Sequence, residues 1–235
     1  NALFDEETRQ VTGADASPAA IRRACEDSLR RLSTDYIDLY QFHDNGFPAE
    51  QAGPVRDTLE ELVQAGKIRA YGWSTDFADR AEFFAGGPHC TSIQLQLNVL
   101  DDNPAVLAVC EEHDLAAINR GPLAMGLLTG KYTPATQPAS NDVRGVNSPQ
   151  WMKYFQGGKP SPEWLAKMEA IREILASNGR TLAQGALAWL WARSAQTIPI
   201  PGFRTVAQVE ENCGALAFGP LTAAQMAEIE RILGR

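Results

Sequence analysis

Ser28-Leu29-Arg30-Arg31-Leu32, followed after one residue by Thr34-Asp35-Tyr36-Ile37-Asp38-Leu39-Tyr40-Gln41-Phe42-His43, is the stretch from which the architecture is read. The first part ends an amphipathic helix. The second is an apolar run, short enough for a buried strand, that closes on polar groups. Upstream, Ser17-Pro18 supplies a helix N-cap and a proline at the first helical position. Ile21, Cys25, Ser28 and Leu32 then recur on one helical face. Downstream, Val55, Leu59, Leu62 and Val63 mark a second helix, stopped at Gly66 in the left-handed conformation common after a helix end.

The alternation continues along the chain. Strands are predicted over Ile68 to Trp73, Ser92 to Leu97, Leu115 to Asn119 and Thr197 to Ile200. Helices are predicted around Arg80 to Phe84, over Pro104 to His113, from Ser161-Pro162 through Leu165, Met168, Ile171 and Leu175 to Asn178-Gly179, over Leu182 to Ala192, and after Thr222-x-x-Gln225, which is a capping box. Residues 133–160, rich in Pro, Gly, Ser and Asn, read as a long excursion loop. Strands separated by helices imply a parallel sheet in an α/β domain spanning residues 1–235. An open doubly wound sheet and a barrel both fit that pattern. Five strands alone would not close a barrel of eight.

Composition narrows the function. The chain has 235 residues and a net charge of −8, which argues against general nucleic-acid or anionic-membrane binding. Its four cysteines are scattered, which suits a reduced cytoplasmic protein. The three histidines show no zinc-ligand spacing, which counts against a metal-dependent barrel hydrolase. No apolar run approaches a membrane span. The chain begins at Asn1 and its first methionine is Met125, so a missing upstream segment is expected.

In parallel α/β folds chemistry sits at the C-terminal ends of strands. Those ends are Gln41 to Asp44, Trp73 to Asp76, Gln94 to Asn98, Asn119 to Pro122 and Pro199 to Gly202. Neither a Rossmann fingerprint nor a Walker loop is present. The glycine-spaced segment Gly121 to Lys131 could cradle a diphosphate, since glycine permits close backbone approach and Lys131 adds charge. On its own that signal is weak, because many turns share it.

Four segments, in order, resemble the aldo-keto reductase family: residues 28–43, Ala65-Gly66-Lys67-Ile68-Arg69-Ala70-Tyr71-Gly72-Trp73-Ser74, residues 121–132, and Ile198-Pro199-Ile200-Pro201-Gly202 followed by Glu211-Asn212. The resemblance implies a (β/α)8 TIM barrel, of which this chain carries about the last five strands and their helices. It also implies an NADPH-dependent oxidoreductase that reduces aldehydes or ketones by hydride transfer, with NADH used less often. Proton donors aimed at the carbonyl oxygen stabilise the charge that develops there.

By position, His43 matches the family's active-site histidine, against the plainer reading of a core histidine. The family's aspartate, tyrosine and lysine are expected upstream of Asn1, so the chain by itself is not expected to be a competent reductase. The resemblance implies that Ser74 and Gln94 hold the nicotinamide carboxamide, with Thr75 where the family often has asparagine. Arg120 stands in place of a stacking tyrosine, and a guanidinium plane can also stack. Gly121, Pro122, Leu123, Gly126, Leu128, Gly130 and Lys131 form the phosphate-side loop, and Arg144 adds a contact unless it is a solvated surface arginine. Gly202, Phe203, Arg204 and Gln208 match the adenosine-phosphate end, and Glu211 and Asn212 match the adenine contacts. Arg204 suits a 2′-phosphate and so favours NADPH over NADH. Trp73, at a strand end, is expected to line a substrate pocket, with Trp151 and Phe155 either lining it or anchoring the loop. The alternative within the same fold is an NADPH-binding redox-sensing subunit with little catalysis. The partner expected is a small-molecule carbonyl compound.

Overall fold

A computed structural model describes residues 2–4, 11–149 and 151–235, in which strands and helices alternate as the periodicity requires. The residues group into two compact units, Asn1–Leu95 with Asn103–Ile118 and Gln96–Asp102 with Asn119–Arg235.

The first unit opens with an antiparallel pair, β1 (Ala2–Phe4) and β2 (Val11–Ala14). Helix α1 (Pro18–Leu32) follows. The Ser17 hydroxyl accepts from the Ala20 amide, and Ser33 ends the helix in a left-handed conformation at φ 54°. The inward stripe is Ile21, Cys25 and Leu29, whereas the predicted Leu32 is 64% exposed. Leu29 precedes Leu32 by nearly one turn and lies four residues after Cys25, so it continues the stripe where Leu32 leaves it.

Three parallel strands come next in this unit, β3 (Ile37–Phe42), β4 (Ile68–Ser74) and β5 (Cys90–Gln96), in sequential order. Between them run α2 (Gly53–Gln64) and α3 (Ala78–Ala85). Helix α4 (Pro104–Glu112), capped by the Asn103 side chain, leads into β6 (Ala116–Arg120). The register sets Phe42 beside Trp73 and Ser74 beside Gln94. Strand β3 is not the buried strand expected: only Phe42 is buried, and Tyr36 and Leu39 lie open to solvent.

The core between strands and helices is aromatic. Trp73 lies 4.6 Å from Phe84 and 5.3 Å from Phe42, ring centre to ring centre. Tyr71 meets Phe84 edge-on. The Tyr71 hydroxyl donates to Glu60, which also bonds His89 through Nδ1 at 2.6 Å. Burial pushes the Tyr71 phenol well above its ordinary range, and the Glu60 carboxylate adds to that.

The second unit holds the short hairpin β7 (Phe155–Gln156) and β8 (Lys159–Pro160), helices α5 (Pro162–Ala170), α6 (Arg172–Leu175) and α7 (Leu182–Arg193), strand β9 (Thr197–Pro199), and helices α8 (Val206–Gly214) and α9 (Ala223–Leu233). The single helix predicted from Pro162 to Asn178 breaks at Ile171. The apolar stripe survives the break, with Met168, Ile171 and Leu175 all buried. The predicted excursion loop is thus partly ordered by the hairpin; its residue 150 lies outside the described residues. Phe155 is buried there and anchors the loop, while Trp151 stays 65% exposed.

Helix α7 is buried on nearly every side, as its run of alanine and leucine requires. A Cβ on Gly185 would sit 2.1 Å from the Leu175 carbonyl oxygen, so only glycine permits this approach. The expected capping box forms at Thr222/Gln225, and a second one, not anticipated from the sequence, forms at Thr181/Gln184. No helix among the described residues is long and apolar enough to cross a membrane.

Candidate functional site

In the second unit, the end of β6 runs directly into the glycine-spaced loop. Gly121 takes φ 63°, a left-handed turn, and a Cβ there would lie 2.6 Å from Gln96 Oε1. The chain then forms a short 3-10 segment, Ala124–Thr129. Opposite, the Ile200 amide donates to the Asn119 carbonyl and holds the stretch after β9 against the end of β6. The Pro199-x-Pro201 pattern keeps this stretch extended. Thr205 then caps α8 by accepting from the Gln208 amide, and Gln208 Oε1 accepts from the Arg204 amide at 2.6 Å. Gln184, the capping-box residue of α7, donates through Nε2 to the Glu211 carbonyl and ties α8 in place.

These segments enclose a cleft of about 610 Å³. It brings together Gly121, Pro122, Leu123, Gly126, Lys131, Arg144, Gly202, Phe203, Arg204, Gln208, Glu211 and Asn212, twelve of the residues marked in the sequence. It adds Met125, Thr129, Val143, Ala183, Ile200 and Pro201, which sequence reasoning missed. For Ile200 and Pro201 a signal existed, since both lie inside the motif that ends at Gly202. Ala183 carried none; it reaches the cleft only because α7 packs there. A second cavity of about 640 Å³ has an apolar wall of Tyr132, Pro160, Leu165 and Met168 and takes only Gly130 of the marked residues. The first cleft is the one on which Lys131, Arg144 and Arg204 converge.

Of the marked residues in this unit, three do not line the cleft. Leu128 is fully buried in the core, Gly130 faces the second cavity, and Arg120 donates through Nη1 to Gln96 Oε1 at 3.3 Å. The loop also differs from an open cradle. The amides of Ala124, Gly126, Leu128 and Gly130 bond carbonyls within the loop itself. These N–H groups are therefore not free to cradle an anion.

Lys131, Arg144 and Arg204 bring three cations to the cleft. Burial, then the neighbouring Arg144 and Arg204, depress the Lys131 ammonium below its ordinary range. Arg144 is held by Asp142, which accepts from Nε and Nη2 at 2.7 Å each, and it donates through Nη1 to the Met125 carbonyl. Those hydrogen bonds from Arg144 hold the Asp142 carboxyl far below the usual carboxylate range. No ion pair to Lys131 or Arg204 occurs among the described residues. Cations crowded against one another in a chain of net charge −8 favour an anionic ligand between them.

In the first unit, the Ser74 hydroxyl donates to Gln94 Oε1 at 3.4 Å, and Ser74 is 2% exposed. Thr75 is spent on structure: its amide bonds the Gln94 carbonyl and its hydroxyl the Asn45 carbonyl. Asn45 also pins Asp76, a connection that its loop position did not announce. His43 lies just past β3 and is exposed, not the core histidine of the plainer reading. Trp73 requires correction. It is wholly buried, packed on Phe84, with Nε1 donating to the Asp44 carbonyl, so it offers no face to a substrate. Alternation along β4 sends Trp73 toward the helices. Among the described residues no cluster of three or more His, Cys, Asp or Glu side chains is placed to hold a metal ion.

Comparison with known proteins bears on this site. The family profile described as "Aldo/keto reductase family" matches residues 8–233. The chain is 32% identical over 206 residues to "Aldo-keto reductase yakc [NADP(+)]" of Schizosaccharomyces pombe, covering 85% of this chain and 58% of that protein. Among solved structures it resembles the glycerol dehydrogenase AKR11B4 from Gluconobacter oxydans, with a TM-score of 0.79 and 30% identity over 99% of this chain and 69% of that one. It also resembles an aldo/keto reductase from Klebsiella pneumoniae solved in complex with NADP and acetate, with a TM-score of 0.66 and 27% identity, covering 93% of this chain and 66% of that one. The chain spans between 53% and 66% of the length of four of the curated relatives it matches.

Proposed function

The chain belongs to the aldo/keto reductase family, and on that premise we propose that its cleft binds NADPH for the reduction of small aldehydes or ketones. The observation that carries this reading is the convergence of Lys131, Arg144 and Arg204 on one cleft that Glu211 and Asn212 also line. A phosphorylated adenine dinucleotide needs such a set: cations for its phosphates and mixed donors and acceptors for its base.

The residues divide the work. Arg204, beside the N-terminus of α8, takes the 2′-phosphate, where the guanidinium fork and the helix dipole act together. Lys131 and Arg144 take the diphosphate. Glu211 offers a carboxylate acceptor to the adenine amine, and Asn212 offers both a donor and an acceptor. In the first unit, Ser74 and Gln94 present a hydroxyl and an amide, the donor–acceptor pair that a carboxamide requires. His43 orients the substrate carbonyl. When bound, the cofactor supplies the hydride. The S. pombe relative is named for NADP(+) and the K. pneumoniae structure contains NADP, which supports the choice of cofactor.

Calorimetric titration with NADPH and NADH, followed by an aldehyde and ketone panel that monitors the nicotinamide absorbance, tests the proposal. Saturable NADPH binding, tighter than NADH binding, is expected. Absence of NADPH binding refutes it. Binding with negligible turnover across the panel, by a protein that also carries the family's aspartate, tyrosine and lysine, would favour a redox-sensing subunit over a reductase.

A further inference from the structure

Tyr154 lies on the excursion loop, outside the motifs that carry the family resemblance, yet its hydroxyl is the hub of a buried polar network. It accepts from Gln96 Nε2 at 3.1 Å and from Asn98 Nδ2 at 2.9 Å, and it donates to Asp101 Oδ2 at 3.1 Å. A phenol has one proton and two lone pairs, so this hydroxyl is saturated. Saturation fixes both amides. Gln96 must turn its oxygen away from Tyr154, and that oxygen accepts from Arg120 Nη1 at 3.3 Å. Asn98 likewise turns Oδ1 to the Leu100 amide, while its Nδ2 also donates to the Gly121 carbonyl at 3.0 Å. Gly121 is the left-handed turn that starts the cleft loop, and Gln96 packs directly against it. Lys153, next in the chain, pairs with Asp101, and the Tyr154 ring meets Trp164 edge-on at 5.2 Å. The excursion loop thus reaches the end of β6 through two amides that a single hydroxyl orients.

We propose that Tyr154 is a positioning residue of the cofactor cleft. Its hydroxyl sets the Gln96 and Asn98 amides, these hold the Arg120 guanidinium and the Gly121 turn, and dinucleotide binding is thereby coupled to the seating of the excursion loop. The inference rests on the reading of the cleft as an NADPH site. It concerns the part of the dinucleotide near Gly121 and Arg120, not the adenosine phosphate end at Arg204 to Asn212.

Tyr154→Phe keeps the ring and removes the hub. NADPH and 2′,5′-ADP are titrated calorimetrically into the wild-type chain and into this variant. Coupling of this kind predicts a Kd for NADPH raised about tenfold, with the Kd for 2′,5′-ADP changed less than about twofold. A purely structural role would move both or neither. Gln96→Met cuts the same chain one link later and serves if Tyr154→Phe does not fold. Because the two act in series, the double variant should be no weaker than the worse single variant by more than about twofold; additive losses would overturn the proposal. An unchanged ratio of the two dissociation constants in Tyr154→Phe overturns this inference alone. A wild-type chain that binds neither nucleotide overturns it together with the cofactor reading.

Discussion

Arg204→Ala is the perturbation with the sharpest expected signature. Arg204 lines the cleft, its amide is fixed by Gln208, and no ion pair to it occurs among the described residues. Its charge is therefore available to a ligand. A hydrogen bond to a charged group contributes about 1.5–3 kcal/mol, which at about 1.4 kcal/mol per tenfold is about ten- to a hundredfold in affinity. Arg204 is exposed, so solvent screening places the effect near the lower figure, about tenfold at moderate salt. The loss should fall on the 2′-phosphate alone. In calorimetry, Arg204→Ala should weaken NADPH about tenfold and NADH by less than about twofold, and high salt should shrink the difference. Equal weakening of both nucleotides would refute the assignment of the 2′-phosphate to Arg204. No weakening of either would refute the placement of the adenosine end.

Three further outcomes follow from other residues. Trp73→Ala should destabilise the fold by about 3–5 kcal/mol in denaturant unfolding, as expected for a buried aromatic; a loss under about 1 kcal/mol would contradict its placement in the core. Among the described residues neither side-chain atom of Asn119 has a hydrogen-bond partner although the residue is fully buried, so Asn119→Leu should raise stability by about 1–2 kcal/mol; a loss of stability would show that the amide is satisfied. The Asp142 carboxyl is depressed by Arg144, so its stabilisation is full above the ordinary carboxylate pKa of about 4 and declines as pH falls below that value. The stability gap between wild type and Asp142→Asn should accordingly be flat near neutrality and close in acid; a gap that widens in acid would contradict this sign.

Much of the fold was legible because backbone periodicity is local. The Ser17 cap, the Thr222 capping box and the strand ends at Ser74 and Arg120 appear near where the pattern puts them. The cleft was legible because its residues cluster in two short segments, 121–131 and 202–212. What failed was orientation. Trp73 and Leu128 stand in the right segments but turn into the core, since a strand alternates its faces and a 3-10 turn buries one side. The Tyr154 network was invisible because its members lie 53 to 58 residues apart in pairs that no local pattern marks. Asp142, two residues from Arg144, was overlooked although its partner was marked.

Where the nucleotide's phosphates lie is the most direct test of these assignments. A crystal structure of the chain with NADPH measures this. It should place the 2′-phosphate on Arg204 and the diphosphate between Lys131 and Arg144, with adenine against Glu211 and Asn212. A nucleotide bound away from these side chains, or crystals grown with saturating NADPH that contain none, would contradict it.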